Sequence, residues 1–169
     1  MSWKNWVGNE QCSDCDVMTP QSLDELREIV TRAAGSGRRV RAAGGSYSWT
    51  PLVPNGDLVI RLDGLRRVLH FDQKAMTVEV ESGITIEELT RRAAARDLTL
   101  ISPTLFPKPT LGGAVSVGAH GTDFKAGGIS DAILELKIVD HQGELRTVTR
   151  DDDDMSAAMV ALGTLGVIY

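Results

Sequence analysis

The chain has 169 residues, 42% hydrophobic and 24% charged. That is enough for one ordinary domain or two small lobes, burying roughly 70% of the unfolded surface with no need of a staple. Its 18 basic and 23 acidic residues leave a net charge of −5, which argues against nucleic acid or an anionic membrane as partner.

The segment from Met1 to Trp6 lacks the apolar core of a signal peptide, and no apolar run approaches the ~18 residues of a membrane span. A cytoplasmic location is expected. Cys12 and Cys15 form one C-x-x-C in a polar stretch before Pro20. A structural zinc site needs a second ligand pair, and His70, His120 and His141 are scattered, so no metal is expected. Two reduced loop thiols or a local bridge fit the pair better.

Ser22 and Glu25 have capping-box spacing and open a helix whose apolar stripe is Leu23, Leu26, Ile29, Val30 and Ala33. Gly35-Ser36-Gly37 ends it. Arg39–Ala43 reads as a short strand, Gly44 to about Asp57 as a loop, and Leu58–Leu62 as a covered strand. Strand, helix and strand make a small α/β lobe over 1–65. A second lobe, 66–169, opens near Val68. Met76, Val78 and Val80 alternate with polar residues as a half-buried strand, and Thr85 with Glu88 caps a helix running to about Arg96. Thr99–Ile101 reads as a strand, and the three prolines between Ser102 and Thr110 require a loop. Ile133–Val139 and Leu145–Thr149 flank a hairpin turn. A helix over Asp154–Leu162 and a strand over Val167–Tyr169 follow, with Asp151–Asp154 a solvated helix N-terminus. The fold class is α+β, its second lobe built on a mostly antiparallel sheet.

Three segments carry chemistry. In the first, a strand runs through Ala42 and Ala43 into Gly44, Gly45, Ser46, Tyr47 and Ser48, a composition that lets successive backbone N–H groups face one anion. A Rossmann loop would feed a helix, but Pro51 and Pro54 forbid one here. The second, Thr110–Thr122, includes Gly113, Val117, Gly118, Ala119, His120 and Gly121. It has so little side-chain bulk that a flat ligand could approach its backbone, with Leu111, Val115 and Val117 as anchors in the core. His120 is its only titratable group. A packed core histidine satisfied by the backbone is the plainer reading, and proton transfer the sharper one. The third, Gly163–Tyr169, contains Gly166 and Val167, and alone is a turn before a strand.

Together, in this order, these segments resemble the FAD-binding domain of the vanillyl-alcohol-oxidase (PCMH-type) flavoproteins. Trp3-Lys4-Asn5-Trp6-Val7-Gly8-Asn9 is similar to the W-x-N-W-x-G-N opening of the aldonolactone and alditol oxidase branch. The resemblance implies FAD as cofactor. It places the diphosphate on Ala42–Ser48, the flavin and the rest of the diphosphate along Thr110, Gly113 and Val117–Gly121, and the adenine end at Gly166 and Val167. Pro103 and Thr104 fall near the family position that faces the flavin, which adds Thr104 to the cofactor-binding set and leaves oxidase or dehydrogenase open. Ser46 and Tyr47 stand where the family has a glycine and the histidine that bonds the flavin. A phenol is a weaker nucleophile than imidazole at neutral pH, so the flavin is expected to be held without a covalent bond, with Tyr47 beside the ring edge.

The family implies an oxidoreductase acting on a hydroxyl-bearing carbon of a sugar-type substrate, an aldonolactone or alditol, held by a cap domain expected to be absent from this chain. No catalytic residue is therefore assigned. A non-catalytic FAD-binding module and a phosphate-ligand domain without redox chemistry are the alternatives. An unfinished edge at Val167–Tyr169 is expected to be sticky and to promote association.

Overall fold

The computed structural model describes residues 2–54 and 56–169. Met1, in the expected first lobe, and Asn55, in the expected loop, lie outside the described residues. The chain opens with a hairpin, β1 (Trp3–Lys4) against β2 (Gln11–Cys12), in which Trp3 faces Cys12. Cys12 is bonded to Cys15, so the local bridge is the form found. A third strand, β3 (Asp16–Met18), follows. None of the three was expected: strands of two or three residues leave no periodicity to read.

The first helix, α1 (Leu23–Gly35), is capped as expected. Ser22 Oγ accepts from Glu25 N at 3.2 Å, while the Glu25 carboxylate accepts from Gln21 N. Its stripe of Leu26, Ile29, Val30 and Ala33 is buried. Two strands follow, β4 (Val40–Ala43) and β5 (Leu58–Arg61), and the order β3-β5-β4 is parallel throughout. The central strand explains its own apolar run. Leu58 and Ile60 pack with α1, whereas Val59 packs with Trp3, Cys15 and Ala43.

Next come the hairpin β6 (Val68–Asp72) and β7 (Thr77–Val80), then α2 (Ile86–Ala94), whose Thr85 cap accepts from Glu88 N at 3.1 Å. Met76 is not in the strand. It sits exposed in the turn at φ 54°. Thr99–Ile101 is not a strand either, and pairs with none among the described residues. The glycine-rich second segment contains an unexpected helix, α3 (Leu111–Ser116), capped by Thr110. Gly112 and Gly113 hide it from a propensity reading.

A three-stranded antiparallel sheet has β8 (Glu135–Val139) at its centre, between β9 (Leu145–Thr149) and the terminal β10 (Val167–Ile168). The helix expected over Asp154–Leu162 shortens to α4 (Met155–Ala158). Val160 and Leu162 turn to positive φ, and their N–H groups bond Val115 and Ser116 carbonyls instead of continuing a helix. The acidic run is solvated but is no dipole cap: Asp152 instead accepts from Thr149 N and Oγ1 at 2.7 and 2.8 Å. Val139 and Val167 join the apolar cluster of α1 and β5, while α3, β8 and α4 share a second cluster through Val115, Leu136 and Met155.

Glu81 is fully buried just after β7. Arg67 Nε donates to its Oε1 at 3.0 Å, Arg67 N to its Oε2 at 2.6 Å, and the Tyr169 hydroxyl to Oε1 at 3.1 Å. Ser82 completes the attachment of the terminal strand, its hydroxyl donating to the Ile168 carbonyl and its N–H to that of Tyr169.

Candidate functional site

Strand β4 delivers the first glycine loop at the edge of the parallel sheet. A methyl group built on Gly44 would stand 2.1 Å from Thr110 Oγ1, so the loop lies directly against the cap of α3. One built on Gly45 would meet the Tyr47 ring at 2.8 Å and the Lys108 carbonyl at 3.3 Å. The proline-bearing segment bridges the two glycine stretches. Its far end presses on Gly121, where a methyl group would meet the Pro103 carbonyl and Ser102 Oγ, each at 2.6 Å. Tyr47 sits between Trp6 and Phe106, edge-on to Phe106 with ring centroids 4.9 Å apart. Thr104 Oγ1 donates to the Phe106 carbonyl, which joins the Thr104 turn to this aromatic group.

Ser46 is the loop's left-handed residue, at φ 58°, a conformation that costs a non-glycine residue about 1 kcal/mol. The N-terminal hairpin holds it there. Trp3 Nε1 donates to Ser46 Oγ at 3.2 Å and Trp6 N to the Ser46 carbonyl at 2.9 Å. Asn5 Nδ2 donates to the Ser48 carbonyl at 2.9 Å, and Asn9 Nδ2 to that of Trp49 at 3.1 Å. The carbonyls of Ser46, Ser48 and Trp49 are thus taken. The loop's donors are not: no acceptor among the described residues answers the backbone N–H of Gly45, Ser46, Tyr47 or Ser48. Four successive half-buried residues thus carry N–H groups without partners among the described residues, and the diphosphate of a dinucleotide fits that donor set.

Past α3 the chain turns at Gly118, at φ 66°, where a methyl group would touch Val160 at 3.2 Å. Gly113 N donates to Thr110 Oγ1, and Ala119 N bonds back to the Ala114 carbonyl. Val115 anchors this segment in the core, but Val117 does not. It is 47% exposed, because α3 has ended and its side chain faces away from the apolar cluster. His120 is exposed, not packed inside; the plainer reading holds only in that Nδ1 lies 2.8 Å from the Gly121 carbonyl.

The turn just before the third segment is drawn to the same region. Arg41 Nη1, at the start of the first loop's strand, donates to the Leu162 carbonyl, while Val160 and Leu162 bond α3. Gly166, at φ 137°, lies against the Val139 carbonyl, and Val167 is buried in the ladder with β8. Ala42 is half-buried within β4, and the Ala43 side chain is in the core. Ala43 and Val167 can therefore offer a ligand only backbone.

An open depression of about 450 Å³ flanks Gly121, lined by Leu100, Ile101, Ser102, Pro103, Thr122 and Asp123. The Ser102 hydroxyl, at φ 87°, is buried without a partner among the described residues. A larger depression of about 640 Å³, between His70, Phe71, Arg91, Arg92 and Arg96, touches none of the glycine segments. We place the site at the glycine loops because free backbone donors and bare backbone converge there. Lys108 is engaged elsewhere: its hydrogen bond to Glu87 holds the ammonium above its usual range. Among the described residues no His, Cys, Asp and Glu cluster could hold a metal, and no helix is long and apolar enough to cross a membrane.

Residues 16–149 match the FAD binding domain family. The chain belongs to that family. FAD is accordingly its cofactor, and the relatives lie in the aldonolactone and alditol oxidase branch. L-gulono-1,4-lactone dehydrogenase of Mycobacterium tuberculosis (strain ATCC 25618 / H37Rv) is 35% identical over 166 residues, covering 98% of this chain and 39% of that protein. Alditol oxidase of Streptomyces sp. (strain IKD472 / FERM P-14339) is 29% identical over 164 residues, 97% of this chain and 39% of that protein. The chain thus spans 39% of the length of these relatives. Among solved structures, an alkyldihydroxyacetonephosphate synthase superposes with a TM-score of 0.78 over 90% of this chain and 30% of that one. At 24% identity this speaks for the fold alone.

Trp3, Asn5, Ser102 and Phe106 shape the FAD-binding domain's loops and were not among the residues expected to do so. The signal for the first two was present, since Trp3-Lys4-Asn5-Trp6-Val7-Gly8-Asn9 is a motif of its own.

Proposed function

We propose that the chain holds FAD extended between two lobes, 1–65 and 66–169, as the cofactor-binding part of a flavin-dependent oxidoreductase. Its substrate would be an aldonolactone or alditol oxidised at a hydroxyl-bearing carbon. The observation that carries the reading is the row of N–H groups from Gly45 to Ser48 without partners among the described residues, following Gly44, which lies against Thr110. In this arrangement Gly45–Ser48 bind the diphosphate. Thr104, Thr110, Gly113 and Val117–Gly121 line the flavin with little more than backbone, and Gly166 and Val167 border the adenine. Tyr47, fixed by Trp6 and Phe106, packs beside the ring edge. Bound FAD supplies the hydride acceptor; the protein supplies orientation and exclusion of water. The two lobes share apolar contact, as Val139 and Val167 lie with Leu26 and Ile60.

Purified protein is expected to show flavin bands at about 370 and about 450 nm. Acid precipitation should leave the yellow colour in the supernatant. A colourless protein that takes up no added FAD ends the reading, and a yellow pellet ends non-covalent attachment. Anaerobic bleaching by aldonolactones or alditols separates the oxidoreductase from a non-catalytic FAD-binding module. Association through the edge strand Val167–Tyr169 belongs to the same proposal, and a concentration-independent monomer on gel filtration would remove it.

A further inference from the structure

The N-terminal hairpin has no place among the cofactor-binding residues, yet it makes the contacts that decide which way the first loop faces. Asn5 is the centre of this arrangement and is 2% exposed. Its Oδ1 accepts from Gly8 N at 2.8 Å and Glu10 N at 3.2 Å, which shapes the hairpin itself. Its Nδ2 donates to Asn9 Oδ1 at 2.8 Å and to the Ser48 carbonyl at 2.9 Å. One amide therefore joins the hairpin turn to the far end of the loop. Trp3, 5% exposed, packs with Cys15, Ala43 and Val59 behind the loop, and its indole N–H reaches Ser46 Oγ.

A peptide loop with free donors and free acceptors has no preference for an anion. Tying the carbonyls of Ser46 and Ser48 to the hairpin removes two of the loop's acceptors while the N–H groups of Gly45–Ser48 stay without partners among the described residues. It also holds Ser46 in a left-handed conformation that serine does not favour by itself. The energy of the nest is thus prepared before a ligand arrives, and binding need not bear the ordering cost.

We infer that Trp3 and Asn5 are positioning residues for FAD, acting through Ser46 and Ser48 to turn the backbone donors of Gly45–Ser48 toward the diphosphate. The inference rests on the FAD reading of this site. Neither side chain need touch the cofactor.

The test is FAD affinity of the purified chain, followed by flavin fluorescence well below the thermal transition. Trp3→Phe removes the indole donor and keeps the packed ring. It is expected to weaken FAD about fivefold, the equivalent of one ordinary hydrogen bond. Ser46→Ala should weaken it similarly, and the double variant should be no weaker than either single one. Losses that multiply would mean that Trp3 merely supports the fold, which overturns the inference. Asn5→Asp keeps the acceptors for Gly8 and Glu10 but sets a buried carboxylate oxygen against the Ser48 carbonyl and Asn9 Oδ1, so it should weaken FAD and lower apoprotein melting as well, and its affinity is read well below its own thermal transition. A Trp3→Phe variant that binds FAD as tightly as the wild type also overturns the inference. Failure of the wild type to bind FAD instead overturns the reading of the site.

Discussion

Gly44→Ala is expected to remove FAD binding, raising the dissociation constant at least about 100-fold, and to lower the melting temperature by about 5 °C. The added methyl would lie 2.1 Å from Thr110 Oγ1 and 3.3 Å from its Cβ, and Thr110 cannot yield. It is 4% exposed, caps α3 by accepting from Gly113 N, and is paired with Thr85 as an isolated bridge. Its neighbours are fastened too, Leu111 N to the Ile84 carbonyl at 2.8 Å and the Pro109 carbonyl to Ile86 N at 3.0 Å. The loop must therefore move, which draws Gly45–Ser48 away from the second glycine segment and separates the proposed diphosphate nest from the proposed flavin lining. Overpacking of this kind costs about 1–3 kcal/mol, so the protein should remain folded and the loss should fall mainly on FAD. Adding Thr110→Ala removes the nearest clash and should restore part of the melting temperature. Equilibrium titration with FAD and thermal melts of the wild type and the two variants decide it. Wild-type affinity in Gly44→Ala would mean that the loop and α3 are not apposed in solution.

The parts of the fold legible in the sequence are those stabilised locally. Both long helices announce themselves through side chains three residues apart, Ser22 with Glu25 and Thr85 with Glu88. The hairpin of β8 and β9 is legible from its apolar runs and its turn at Asp140–Gly143. What escaped is held across long separations. β1, β2 and β3 are too short for alternation, and α4 stops early because Val160 and Leu162 find better partners on α3. The same division runs through the site. The glycines of the first and second segments are visible as composition. The groups that close on them are not: Thr110 on Gly44, Pro103 on Gly121 and Trp3 on Ser46 each meet their target from a distant stretch of chain. A close approach of two backbones leaves a glycine in the sequence but no record of which neighbour required it.

Glu81→Ala should be the most destabilising single change outside the glycine loops, by about 3 kcal/mol, read as a drop of several degrees in the thermal midpoint. The carboxylate is fully buried, whereas the Arg67 side chain is 61% exposed, so the expected loss sits at the lower end for a broken buried pair. Burial by itself pushes the Glu81 carboxyl up. The hydrogen bonds from the Arg67 side chain and backbone and from the Tyr169 hydroxyl outweigh it and hold the carboxyl below its ordinary value. The unfolded chain then takes up this proton more readily than the folded one. The stabilisation is complete above the ordinary glutamate range, about 4.3, and is lost as pH falls toward the lower folded value. Tyr169 is displaced upward, by burial first and by the Glu81 charge second, so its share is present below the usual phenol range and lost in alkali. Melting curves between pH 3 and pH 7 should therefore fall away more steeply at the acid end for wild type than for Glu81→Gln; parallel curves would show that Glu81 does not titrate with folding. The consequence reaches the site. Glu81 and Ser82 hold Ile168 and Tyr169, and the Ser82 carbonyl also accepts from Gly112 N at 2.9 Å within α3. Protonating one buried carboxylate loosens the terminal strand and its neighbours Gly166 and Val167, which border the adenine in the proposed site. FAD should accordingly dissociate in acid before the secondary structure melts.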